Sequence, residues 1–320
     1  MFTGGNTCYP KYLMEVDDMV KLDQMPTEKR NKLSENIDSL STEDMVRLIN
    51  SEDKKVAASV GKETGHIAAA IDKIYARMHE GGRLIYCGAG TSGRLGILDA
   101  VECPPTYSTD PELVQGIIAG GNGAVFKAVE GAEDSEELGE ADLKKIIFTQ
   151  KDVLVGIAAS GRTPYVIGAL KYAKSLGADT VAVTCCPGSE IDTLADVGIA
   201  PLPGPEVVTG STRMKSGTAQ KMVLNMLSTC TMIKLGKVYG NLMVDVKPSN
   251  DKLVQRCISI VEEAAQCDEK MAKDVLDKCE YRPKTAIVMI LCSVSVEEAE
   301  NMLSDGDGHI DRVVKKTRKA

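Results

Sequence analysis

The chain contains no tryptophan, and Phe, Tyr and Trp together make up only 4% of its 320 residues. Stacking on aromatic rings therefore contributes little to recognition, which argues against single-stranded nucleic acid as the ligand. A positive surface is missing too. Against 38 Lys and Arg stand 46 Asp and Glu, a net charge of −8, the wrong sign for nucleic acid or for an anionic membrane surface. No apolar run reaches the ~18 residues that would cross a bilayer. The opening MFTGGNTCYPKYLMEVDD has no apolar core of a secretory signal, so the expected location is cytoplasmic. Three histidines (His66, His79, His309) stand apart from suitable partners, and ten cysteines include no Cys-x-x-Cys pair. No metal site, no cofactor and no disulfide framework is expected. Cys87, Cys185, Cys186, Cys230 and Cys292 lie in apolar segments and read as buried thiols. The basic Lys315, Lys316, Arg318 and Lys319 read as a solvated helix end.

What is present is a core, since 43% of the residues are hydrophobic, and it is laid out in two patterns. Residues 1–26 read as a loosely held extension. Ser41-Thr-Glu-Asp44 carries a helix-start pattern, followed by a short helix over 42–50 and a long one over about 53–80. Short apolar strands at 83–88, 114–119, 153–158, 180–185 and 197–202 then alternate with helices at 92–100, 122–130, 138–146, 163–176 and 211–235. That alternation predicts a parallel sheet covered on both faces. Beyond about 245 only helices follow, near 249–265, 267–278, 283–292, 295–304 and 309–317. The expected fold is α/β, with 1–50 an N-terminal extension with short helices, 51–245 the sheet domain and 246–320 a small helical module.

Ser-Gly-Arg occurs twice, at 92–94 and 160–162, each time just after an apolar strand. A Gly, Ser and Thr loop between a strand and a helix presents N–H groups and hydroxyls to an anion. Gly90, Thr91 and Ser92 in the first loop, and Ser160 and Thr163 in the second, are the candidates. Gly88-Ala-Gly-Thr-Ser-Gly93 also fits a dinucleotide loop, but the next strand, VQGIIAGG, ends without the acidic residue such a site needs. A plain helix cap is the remaining alternative. Glu102 precedes Cys103-Pro-Pro105, and the prolines predict that the first-loop helix stops before Pro104, leaving Glu102 at a corner close to that loop. Glu130, Glu133 and Asp134 form either a solvated acidic turn or a source of a general acid or base. The stretch 204–221, GPEVVTGSTRMKSGTAQK, opens a long apolar helix with Glu206, Ser211 and Lys215 at a polar entry that is costly to bury without a partner.

Taken in order, GAGTSGR, AVECPP, VEGAEDS, GIAASGRTPYV, GPEVVTGSTRMKSGTAQK and YGNLMVDV closely resemble the N-acetylmuramic acid 6-phosphate etherases. These are sugar-isomerase (SIS) domain proteins related to the glucokinase regulatory protein. The resemblance runs from about Pro26 to about Val314. It implies a five-stranded parallel sheet flanked by helices, a homodimer and a helical C-terminal module. It also implies cleavage of the D-lactyl ether of N-acetylmuramic acid 6-phosphate by elimination and hydration. Glu102 would be the acid and Glu133 the base at C2. Thr91, Ser92, Ser160 and Thr163 would hold the phosphate, with Gly90, Glu206, Ser211 and Lys215 completing the substrate site. His309 and Arg312 are candidates to reach a partner's site. Two other readings remain: a phosphosugar isomerase using Glu206, and a sugar-phosphate sensor without catalysis.

Overall fold

The computed structural model describes residues 25–248 and 250–317. Cys8, Arg318, Lys319 and most of the 1–26 extension lie outside them. Five parallel strands, β1 (Leu84–Gly88), β2 (Val114–Ile118), β3 (Val153–Ile157), β4 (Asp179–Val183) and β5 (Val197–Ile199), form one sheet in the order β2-β1-β3-β4-β5. Side chains alternate along a strand, so each strand feeds two cores. Leu84, Tyr86, Val155 and Val181 point to one face, against residues of α1 (Thr42–Gly61), α2 (Thr64–His79), α3 (Gly90–Tyr107) and α7 (Lys215–Lys234). Ile85, Cys87, Leu154 and Ala182 point to the other, against α4 (Glu136–Lys145), α5 (Pro164–Ser175) and α6 (Glu190–Leu194). Burial on both faces explains why the strands read as unbroken apolar runs.

A two-stranded hairpin, β6 (Val238–Tyr239) and β7 (Leu242–Met243), leads into a third core. There α8 (Asp251–Ala265), α9 (Glu269–Lys278), α10 (Pro283–Cys292), α11 (Val296–Asp305) and α12 (Ile310–Thr317) enclose Val261, Leu276, Ile287, Leu303 and Ile310. Asp245 ties this region down by accepting from Lys284 Nζ at 2.7 Å, and Lys237 Nζ stands 3.1 Å from the same carboxylate.

Three expectations are corrected. Ser41 does cap a helix, its side chain accepting from the Asp44 N–H, but α1 runs on to Gly61. The break falls at Lys62–Glu63, where Lys62 ends α1 and Glu63 begins α2, its carboxylate accepting from the Ala200 N–H. The helix expected over 122–130 is only a 3₁₀ turn, Asn122–Val125. Arg94 donates to the Ala124 and Val125 carbonyls, which a helix would need for itself. Finally, α3 passes through Pro104 and Pro105 and ends at Tyr107. Pro removes only its own donor and crowds one carbonyl. Here that loss falls in the last turn, where Cys103 and Tyr107 are buried and the left-handed Ser108 donates to the Pro104 carbonyl at 2.9 Å.

Candidate active site

β1 and β3 are neighbours, with Gly88 paired to Ile157, but the chain leaves them in opposite directions. After β1 it goes through α3 to β2; after β3 it goes through α5 to β4. Ligands of open parallel sheets bind at such a divergence, outside the carboxyl ends of the strands. The two Ser-Gly-Arg loops start there side by side and enclose a cavity of about 410 Å³. Neither α3 nor α5 has its first turn capped by a side chain; α3 presents first-turn N–H groups toward an anion at that end, whereas α5 opens on Pro164, which has none.

Gly90, Thr91, Ser92, Ser160, Thr163 and Glu133 all line this cavity. Glu133 comes from the 3₁₀ turn Ala132–Asp134, which packs on α5. Asp134, Arg162 and Thr212, none of them chosen as a binding residue from the sequence, also line it, as does Glu28, which the sequence did not single out. Arg162 is the informative one. Its guanidinium is exposed, donates only to Met25 Sδ at 3.7 Å and has no carboxylate partner among the described residues. The pairing of a Ser-Gly-Arg echo with a strand end was its sequence signal, but that signal applied equally to Arg94.

Glu206 and Lys215 are placed elsewhere. Glu206 is fully buried and accepts from the Lys215 N–H at 3.0 Å, the Ser216 N–H at 2.9 Å and Ser216 Oγ at 3.0 Å. It caps α7. Lys215 Nζ turns inward to Glu52 Oε2 at 2.7 Å and to the Pro203 carbonyl at 3.1 Å. Burial would raise the Glu52 carboxyl, but hydrogen bonds from Lys215, Lys55 and Asn31 hold it below its ordinary value. The polar entry of α7 is thus satisfied from inside the protein, which answers the burial cost seen in the sequence. Ser211 does not line the cavity, although its neighbour Thr212 does.

Glu102 is not at the cavity either. It is exposed on α3, twelve residues past Gly90, about 18 Å along the axis at 1.5 Å per residue. Beside it Leu98 and Val101 are 45% and 58% exposed, an apolar patch on the same helix. His309 Nε2 is 3.0 Å from the Lys234 carbonyl and Arg312 pairs with Asp307, so both are engaged within their own chain. Burial pushes the Cys103 and Cys185 thiols up to about 12 and raises Cys186, so none of these cysteines near the motifs is a ready thiolate. Cys230 and Cys292 are half-buried rather than buried. The arrangement offers the uncapped end of α3, hydroxyls and a guanidinium without a carboxylate partner among the described residues for an anion, with carboxylates beside them to move protons.

The chain matches three family models. These are the N-terminal SIS domain of glucokinase regulatory protein over residues 66–174, the SIS domain over 134–229, and the C-terminal lid domain of glucokinase regulatory protein over 240–285. A solved phosphoheptose isomerase from Neisseria gonorrhoeae superposes with a TM-score of 0.48 at 17% identity, covering 60% of this chain and 98% of that one. The chain is 55% identical to the N-acetylmuramic acid 6-phosphate etherase of Klebsiella aerogenes over 93% of its own length and 99% of that protein. It is 56% identical to the etherase of the same name from Clostridium beijerinckii, over 93% and 98%. With identity of that level over nearly its whole length, this chain belongs to the N-acetylmuramic acid 6-phosphate etherase family.

Proposed function

We propose that the chain cleaves the D-lactyl ether of N-acetylmuramic acid 6-phosphate, giving N-acetylglucosamine 6-phosphate and D-lactate in the recycling of cell-wall amino sugars. The observation that carries this reading is Glu133 lining an anion cradle in a chain that matches an etherase over 93% of its length. The sugar opens to its aldehyde, which acidifies the C2–H. Glu133 takes that proton, the C2=C3 double bond forms, and the C3–O bond breaks. The departing lactate oxygen takes a proton from an acid. Water then adds its oxygen to C3, and C2 regains a proton, so the sum is substrate plus one water. Thr91, Ser92, Ser160 and Thr163, with the free N–H groups of α3, hold the phosphate. Glu206 and Lys215 support the site by fixing the start of α7.

Glu102 remains the proposed acid, and its distance from the cavity of its own chain sets a condition. A second copy must deliver it, using the exposed α3 patch around Leu98 and Val101 as contact. A homodimer is therefore part of the reading, as is a cytoplasmic location. Among the described residues no helix is long and apolar enough to cross a membrane. Residues 51–245 form the sugar-phosphate unit in this reading and 246–320 the helical module. Residue 50 itself falls within α1, which runs unbroken from Thr42 to Gly61.

The test is D-lactate release from N-acetylmuramic acid 6-phosphate by purified protein, with solvent deuterium at C2 as a second readout. Folded protein that releases no lactate ends the proposal. An isomerase using Glu206 is disfavoured by that carboxylate's burial beneath α7, and ketose formation without lactate would be its mark.

A further inference from the structure

One polar group beneath the cavity has no partner. Gln220 lies on the second turn of α7 and is 1% exposed, and its amide Nε2 makes no hydrogen bond among the described residues. Its Oε1 accepts from Ser92 Oγ at 2.9 Å. Ser92 is itself 8% exposed and lines the cavity. A buried amide with an idle donor is costly, and this one is bonded through its oxygen to the hydroxyl of a residue that lines the cavity.

In the arrangement present, Ser92 gives its only proton to Gln220 and offers lone pairs to the cavity. A phosphate needs the opposite, because it accepts hydrogen bonds. The two orientations of a primary amide have the same shape. Rotating the Gln220 amide places Nε2 where Oε1 was, so that Nε2 donates to Ser92 Oγ and the Ser92 proton turns to the cavity. The first turn of α7 is held by Glu206 and Lys215, and Gly217 brings its backbone against Thr91, where an added Cβ would stand 3.4 Å from Thr91 Cγ2. Gln220 thus works from a rigid base.

We propose that Gln220 is a positioning residue that sets the direction of the Ser92 hydroxyl, and that a bound phosphate selects the amide orientation in which Ser92 donates to it. The inference rests on the sugar 6-phosphate reading above. Binding of N-acetylglucosamine 6-phosphate, measured by calorimetry, tests it without relying on turnover. Q220E supplies an acceptor and no donor, so it holds the Ser92 proton back. Its dissociation constant should rise about tenfold, the size of one hydrogen bond to a charged acceptor. Q220M removes the relay altogether and should raise it less, about three- to fivefold. In an S92A background neither substitution should shift the constant by more than about twofold, because the two residues act as one unit.

Constants unchanged in both single variants overturn the inference, and so do effects that persist undiminished without the Ser92 hydroxyl. Should Q220E not fold, the cycle between Q220M and S92A decides alone. Wild-type protein that binds the sugar phosphate but releases no lactate ends the etherase reading and leaves this test intact. Protein that binds no sugar 6-phosphate ends both.

Discussion

The two Ser-Gly-Arg loops share a tripeptide and a place at neighbouring strand ends, yet they use their side chains in opposite ways. In the first loop Ser92 donates to Gln220, and Arg94 donates to the Ala124 and Val125 carbonyls. Both of these side chains are engaged with protein. The second loop is braced by backbone instead. The Ile191 N–H donates to the Gly161 carbonyl at 3.1 Å and the Cys185 N–H to the Ala159 carbonyl at 2.9 Å. Ser160 and Thr163 make no side-chain hydrogen bond among the described residues, and Arg162 has no carboxylate partner there. The glycines differ as well. Gly93 permits close approach, since a Cβ there would stand 2.6 Å from Ile118 Cγ1 and 2.7 Å from the Gly88 carbonyl oxygen. Gly161 has φ +70° and faces Ser189 Oγ at 2.0 Å from where a Cβ would be. The arginine of the first loop is held by the protein, while that of the second stays open at the cavity.

Variants can break this contrast, and the largest effect should come from the carboxylate beside the open loop. Glu133→Gln should slow D-lactate release roughly 10³-fold, about 4 kcal/mol of barrier, and should also stop exchange of the C2 proton with solvent. Intact exchange, followed by proton NMR in deuterium oxide, would take Glu133 out of the base role.

Next comes the support behind the held loop. Glu52→Gln leaves the Lys215 charge buried without its partner, at a cost of about 3 kcal/mol read by urea unfolding. The wild type should show the matching pH dependence. Because the folded carboxyl of Glu52 is held below its ordinary value, its contribution is complete above that ordinary value and is lost as pH falls through the folded one. Glu52→Gln should flatten that part of the acid limb; an unchanged acid limb would remove Glu52 as its source.

The two arginines give the direct comparison. Arg94→Ala should destabilise by about 2 kcal/mol, since it strips a charged donor from two carbonyls, while binding of sugar phosphate stays within about twofold. Arg162→Ala should do the reverse, leaving the unfolding midpoint in place and raising KM about tenfold, or about 1.4 kcal/mol. Equal behaviour of the two variants would erase the contrast between the loops.

Most of the fold was legible because its signals are local. Apolar runs placed the five strands to within a few residues, and the Ser41 pattern placed the cap of α1. Pro104 misled because its penalty depends on where in the helix it falls, and in the last turn of α3 the packing of Cys103 and Tyr107 outweighs it. The helix expected at 122–130 is absent because Arg94, thirty residues away in the chain, takes the Ala124 carbonyl. At the site, the hydroxyl loops and Glu133 were legible, but the separation of Glu102 from them was not, since it follows from the added length of α3.

By itself, the sequence determined the strand-helix alternation, the two anion loops and the family, because periodicity and motif order are properties of neighbouring residues. Only the tertiary structure decided which of two identical tripeptides spends its arginine on the protein's own carbonyls. Ser92 is claimed by Gln220 across 128 positions, Lys215 by Glu52 across 163, and Glu206 by the first turn of α7. Those contacts depend on how helices stack over the sheet. A polar side chain becomes a ligand or a brace according to whether another chain segment reaches it first.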